Sequence, residues 1–376
     1  MKIAENPLAG GTFRSWLQLL AKYPPVEVHY LPRAIYVTFM TLLFTPLRGL
    51  QRLLFNSQIH KTPITIPPIF VLGHYRCGGT HFMNVITQDS QWGYLSTTQA
   101  LVPDLFFLGR PVRNLFSLFL HDKRPMDNLR VTPESPEEPE HALGNQLPLG
   151  FYQGFCWPDR LLETVEESVL FNGPNGEIAQ RRWGPAYRTL LQACTLANGG
   201  KPLIIKNPPD TARVPLLLDL FPDARFIFIT RNPYVMFPSI RNFYRAYIRD
   251  WQFRDISSEE MDAAILDIYR MILKRYEKDK SLIPPEQLVE MRFENFEKHP
   301  LVELERIYQA LNLPGFETAR PAFSAYLDSQ KDYQKNHYTL TPVEVEKIEK
   351  AWGESIRRWG YQPDGVVDIG LDAHGQ

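Results

Sequence analysis

Little in this chain points to export, to a metal centre or to nucleic acid. Three cysteines occur in 376 residues, Cys77, Cys156 and Cys194, and they lie far apart. That excludes a paired-cysteine zinc site and a dense disulfide framework, and makes a reducing compartment the expectation. A surplus of one charge is missing as well: 41 basic against 42 acidic residues leave a net charge of −1. A protein that coats nucleic acid needs basic excess, so no nucleic-acid partner is expected. The nine histidines are scattered. None joins Asp or Glu at ligand spacing, so no metal is expected. Met1 to Lys22 lacks the basic start, apolar run and cleavage site of a signal peptide. The uncharged stretch Ala34 to Leu47 would rise about 21 Å as a helix, short of the roughly 30 Å of bilayer hydrocarbon.

What is present is a globular composition, 44% hydrophobic and 22% charged. The length allows one large α/β domain with excursions, or two domains. The 32 prolines predict firm turns and short elements. Apolar runs at Ile69–Leu72, Leu203–Lys206, Arg225–Thr230 and Leu288–Phe293 read as strands. Helical patterns lie between and after them, near 161–170, 179–198, 259–278, 300–312, 318–328 and 342–359. Short buried strands alternating with helices predict an α/β fold, a central parallel sheet flanked by helices on both faces. Residues 121–146, rich in Pro, Glu and Asn, read as a long loop. The chain divides into an amino-terminal helical, amphipathic segment (1–60), an α/β domain (61–362) and a tail (363–376).

The amino-terminal segment has two readings. After Ala34–Leu47, which Pro46 cuts short, come Leu47, Leu50 and Leu54 on one face, with Arg48 and Arg52 one turn apart. Either both helices pack on the domain, or they lie on a membrane surface with the arginines at anionic head groups.

Two strand–turn–helix units carry chemistry. Gly73-His-Tyr-Arg-Cys-Gly78-Gly79-Thr80 follows a buried strand and opens a helix. Its spacing is that of a P-loop, whose backbone N–H groups and helix dipole hold an anion. Gly79 occupies the lysine position, which argues against a kinase, and Arg76 can supply the positive charge. Downstream, Arg231 ends a strand, the edge at which such sheets bind ligands. Asn232 and Pro233 start a helix there, and Ser239 lies two turns in. Arg231 and Ser239 suit a second phosphate.

Together these units resemble the PAPS-dependent sulfotransferases, in their bacterial branch (PAPS is 3′-phosphoadenosine 5′-phosphosulfate). Arg76-Cys77-Gly78-Gly79-Thr80 is similar to the loop that holds the 5′-phosphosulfate. Arg231 with Ser239 is similar to the pair that holds the 3′-phosphate. Lys206 to Leu217, Phe221 to Ile227, residues 126–128, Pro136 to Leu143 and the carboxyl-terminal patterns extend the resemblance over about 60–362. The sequence departs from the pattern at Cys77 (Ser), Gly79 (Thr), Pro139 (Asp) and Asp210 (His).

The resemblance implies a P-loop-type fold and transfer of a sulfuryl group from PAPS, without a metal, to a hydroxyl or amine. The acceptor would be a small molecule, a carbohydrate or a lipid. Lys206, at a strand end, is the candidate cation beside Arg76. Glu138 and Glu140 are candidate bases, pointing the same way around Pro139 in an extended chain. The plain alternatives are a solvated lysine and an acidic surface loop. His74 and His81 flank the phosphate loop, and His337 lies in a segment that could close over the donor. A nucleotide-binding, membrane-associated protein with weak or no turnover is the second reading. The expected location is cytoplasmic, at the inner membrane face if the amino-terminal segment attaches.

Overall fold

The computed structural model describes residues 6–109, 112, 114, 132–331 and 338–363. Four strands form one parallel sheet: β1 (Ile69–Leu72), β2 (Ile204–Lys206), β3 (Arg225–Thr230) and β4 (Leu288–Arg292), in the order β2-β1-β3-β4. The register sets Val71 beside both Lys206 and Ile227. β1 and β3 are apolar and buried almost throughout, as strands covered on both faces must be. Because all strands run the same way, the phosphate loop after β1, Lys206 and Arg231 all leave the sheet at its carboxyl edge.

Helices fall where the sequence periodicity puts them, at Gly79–Ile86, Leu161–Ser168, Gly176–Ala197, Ser258–Asp279, Pro300–Ala310, Phe316–Ser329 and Pro342–Trp359. Asn232 caps the helix Pro233–Trp251 by accepting from Tyr234 N at 3.0 Å. That helix runs through Pro238.

One expectation is corrected in the acidic loop. Its end is a helix, Pro139–Gln146. Proline's fixed φ and missing N–H suit a first helical position, so Pro139 starts the helix and Glu138 is left outside it in extended backbone. Residues 126–128 and His337 lie outside the described residues.

The amino-terminal segment forms helices at Phe13–Lys22, Leu31–Leu43 and Thr45–Lys61. Pro46 opens the third of these rather than merely ending the second. Trp16, Leu19 and Val37 join the same hydrophobic core as the sheet. The outward faces behave differently: Ile35, Phe39, Leu42, Leu43, Leu47, Leu50, Leu53 and Leu54 are exposed. The arginines run the other way. Arg33 is fully buried, and Arg48, expected at the surface, is only 4% exposed. Arg48 donates to the carbonyls of Thr41 (3.2 Å) and Gly10 (2.9 Å). Burial lowers its pKa to about 10, with Asp104 opposing and Arg52 adding to the fall. The helix pair is therefore partly inverted, with Arg33 and Arg48 inside and leucines outside. Of the two expected surface arginines, Arg52 alone is exposed, paired with Asp104 at 3.3 Å.

Candidate active site

A cavity of about 350 Å³ opens at the carboxyl edge of the sheet. The phosphate loop, Lys206, Arg231, Ser239 and Glu138 all line it. The loop's shape follows from its residues. Gly78 has φ 94°, and a Cβ there would stand 2.1 Å from the Phe293 ring. Only glycine meets both conditions. A Cβ at Gly79 would come 3.2 Å from Lys206 Cδ. The residue missing from the P-loop pattern is thus one whose space the stem of Lys206 borders, and a lysine head reaches the loop from β2 instead. Thr211 closes the loop's start, accepting from Gly73 N at 2.8 Å. Cys77 turns its buried thiol inward, and burial pushes the thiol's pKa up.

At one end of the cavity two arginines converge. Arg76 has a left-handed backbone, φ 70°, a strain of about 1–3 kcal/mol for a residue with a side chain. Its Nε donates to Ser239 Oγ at 3.0 Å. Arg231 Nη1 donates to the carbonyl of Arg76 at 3.3 Å, and its guanidinium lies 4.8 Å from the Phe293 ring centre. Burial lowers the pKa of Arg231; Glu297 opposes this and Arg76 adds to it. Two like charges held together under cover favour an anion between them.

At the other end Lys206 forms an ion pair with Glu138 Oε1 and donates to Thr80 Oγ1 at 3.3 Å. Burial alone would raise the Glu138 carboxyl. Lys206, then His141, outweigh it and hold the carboxyl below its ordinary value. Tyr152 donates to the second oxygen, Oε2, at 2.5 Å. Beside this group Tyr75, Phe243 and Tyr247 make an aromatic wall, with Phe243 5.3 Å from Tyr75 and 5.0 Å from Tyr247 between ring centres.

Glu140 does not share this place. The helix that begins at Pro139 turns it away from Glu138, and it is 1% exposed. It accepts from Arg213 Nη1 (2.9 Å) and Nη2 (3.2 Å), Phe151 N (2.8 Å) and Asn207 Nδ2 (3.2 Å). Asp210 adjoins this cluster, accepting from Arg213 at 3.2 Å and from the Tyr187 hydroxyl at 2.5 Å. Burial raises its pKa to about 6 despite Arg213. His74 is buried and is pushed down to about 4, so it is neutral near pH 7. Among the described residues, the acid–imidazole cluster Glu27, His29 and Asp255 does not line the cavity.

Tyr152 lies outside every stretch that carries the resemblance. His141, Arg213 and Phe293 lie inside such stretches, but the sequence did not single them out, because each acts through a neighbour brought by the fold.

Comparisons with known proteins bear on the family and the fold. The pattern that defines the sulfotransferase family (Sulfotransfer_3) matches residues 67–318. The omega-hydroxy-beta-dihydromenaquinone-9 sulfotransferase Stf3 of Mycobacterium bovis is 28% identical over 356 residues, 94% of this chain and 90% of that protein. The Stf3 of Mycobacterium tuberculosis matches to the same extent. The crystal structure of sulfotransferase STF9 from Mycobacterium avium superposes with a TM-score of 0.69, at 17% identity, over 93% of this chain and 92% of that one. STF1 from Mycobacterium tuberculosis gives 0.62, at 18% identity, over 91% and 92%. At these identities the two structures establish the fold.

Proposed function

The chain belongs to the sulfotransferase family, and from that premise we propose how the cavity divides between donor and acceptor. PAPS, the donor general to the family, binds with its 5′-phosphosulfate on Arg76 to Thr80 and its 3′-phosphate on Arg231 and Ser239. The acceptor is a lipophilic molecule that carries a hydroxyl, seated against Tyr75, Phe243 and Tyr247. The Stf3 relatives are named for a lipid acceptor of this kind. The sulfuryl group leaves a phosphate oxygen and joins the acceptor oxygen. The acceptor proton passes to Glu138. Lys206 and Arg76 neutralise the phosphate that is left. Catalysis is then mostly positioning and charge stabilisation.

The observation that carries this reading is the contact of Lys206 with both Glu138 and Thr80, which joins a cation, a carboxylate and the phosphate loop. In the test, Lys206→Ala and Glu138→Gln should each lower kcat. Loss of a general base typically costs about 10²–10⁴-fold. Binding of adenosine 3′,5′-bisphosphate should stay nearly intact. Full activity in Glu138→Gln would remove Glu138 as the base.

The partly inverted amino-terminal helices bear on where the acceptor comes from. Eight large apolar side chains face outward while Arg33 and Arg48 face inward. Among the described residues no helix is long and apolar enough to cross a membrane. The proposed occupant of that face is the interfacial layer of a bilayer at the cytoplasmic side, from which the acceptor is delivered.

A further inference from the structure

The mechanism uses Glu138 but leaves open what aims it. Glu138 stands just outside the helix Pro139–Gln146, in extended backbone with φ −91° and ψ 133°. The direction of its carboxylate therefore comes from side-chain partners. Among the described residues two side chains bond to it, one on each oxygen: Lys206 on Oε1 and the Tyr152 hydroxyl on Oε2, at 2.5 Å. Lys206 is also committed to the phosphate loop, through Thr80. A donor phosphate in that loop competes for the lysine and loosens its hold on Glu138. The Tyr152 hydroxyl also adjoins the side chain of Tyr75, but as a neutral group it is not drawn to a donor phosphate as a lysine is. The Tyr152 ring stacks on His141 at 3.9 Å between centres and 12° between planes. Trp251 and Phe155 meet it at 5.7 Å and 5.8 Å. A phenol packed on several sides keeps its hydroxyl fixed at little entropic cost.

We propose that Tyr152 is a positioning residue for Glu138: its hydroxyl holds one carboxylate oxygen so that the other stays aimed at the acceptor when Lys206 turns to the donor. The proposal rests on the reading of Glu138 as the base. Charge neutralisation is already supplied by Lys206, so the distinct contribution of Tyr152 is direction. It also stabilises the ionised carboxylate, because a hydrogen bond to the charged form favours that form. The other titratable groups around Glu138 are Lys206 from β2, His141 from the adjoining helix, Tyr75 from the phosphate loop and its neighbour Glu137.

The test is Tyr152→Phe, which keeps the ring and removes one hydrogen bond, made in the wild type and in a Glu138→Ala background. Expected in the wild type is a fall in kcat of about tenfold, with KM for PAPS unchanged. The acid limb of the kcat/KM profile for the acceptor should move up by about one pH unit. In the Glu138→Ala background the second substitution should cost nothing further. An equal loss in both backgrounds overturns the proposal, as does wild-type kcat with an unmoved acid limb. Glu138→Ala alone is read first. Wild-type activity there overturns the base assignment itself, and the positioning role with it.

Discussion

Arg231 and Glu140 show how two charged residues, opposite in sign, come to different tasks through their partners. Arg231 has a like charge, Arg76, beside it and bonds to a backbone carbonyl. Glu297 and Glu294 offset part of that repulsion, and an anion in the cavity would offset more. Arg231→Ala should therefore weaken adenosine 3′,5′-bisphosphate by roughly tenfold or more, the worth of about 1.5–3 kcal/mol for a charge-assisted bond. Adenosine 5′-phosphosulfate, which lacks the 3′-phosphate, should bind almost as before; equal loss for both would take Arg231 out of the 3′ site. Glu140 has its needs met by Arg213, Asn207 and Phe151 N. Replacing it leaves Arg213 buried with one carboxylate fewer, a loss on the order of 3–5 kcal/mol. Glu140→Ala is thus expected to lower the unfolding midpoint sharply, while the acid limb of the activity profile stays with Glu138. A variant of wild-type stability with a displaced acid limb would reverse the two roles.

Elements of secondary structure were legible where one local rule decided them. The apolar runs that became β1 and β3, and the Asn232–Pro233 helix start, needed only burial and capping. The phosphate loop was legible from its glycines. Gly78→Ala should nearly abolish nucleotide binding, since a side chain there meets Phe293 and an unfavourable φ; titration with adenosine 3′,5′-bisphosphate reads it, and wild-type affinity would contradict the cradle. What the sequence hid are elements whose direction depends on distant partners. Glu138 and Glu140 look equivalent until Pro139 starts a helix between them and Arg213 captures one. Arg48 looks like a head-group contact until Gly10 and Thr41 offer it buried carbonyls. The membrane prediction accordingly moves from the arginines to the apolar face. Wild-type protein should float with anionic liposomes, and an Ile35→Ser, Phe39→Ser, Leu53→Ser variant should not. A wild type that stays at the bottom of the gradient at low salt ends the idea.

Across the whole molecule, the parallel sheet explains why residues 76, 206, 231 and 239 share one cavity, to which the acidic segment adds Glu138. Three strands deliver loops to the same edge, and the helix that follows β3 brings Ser239 back beside Arg76. The sequence order of the motifs made that edge foreseeable; the aromatic wall was not, because Phe243 and Tyr247, one turn apart on the helix Pro233–Trp251, meet Tyr75 of the phosphate loop only in the fold. The division of the cavity into an arginine end and an aromatic end is the central claim. It is tested most directly by transfer of labelled sulfate from PAPS into lipid, carbohydrate and small-phenol pools, by the wild type and by Glu138→Gln. The account predicts label in the lipid pool from the wild type and almost none from Glu138→Gln, with both proteins binding adenosine 3′,5′-bisphosphate equally. Label confined to carbohydrate, or equal labelling by both proteins, would contradict it.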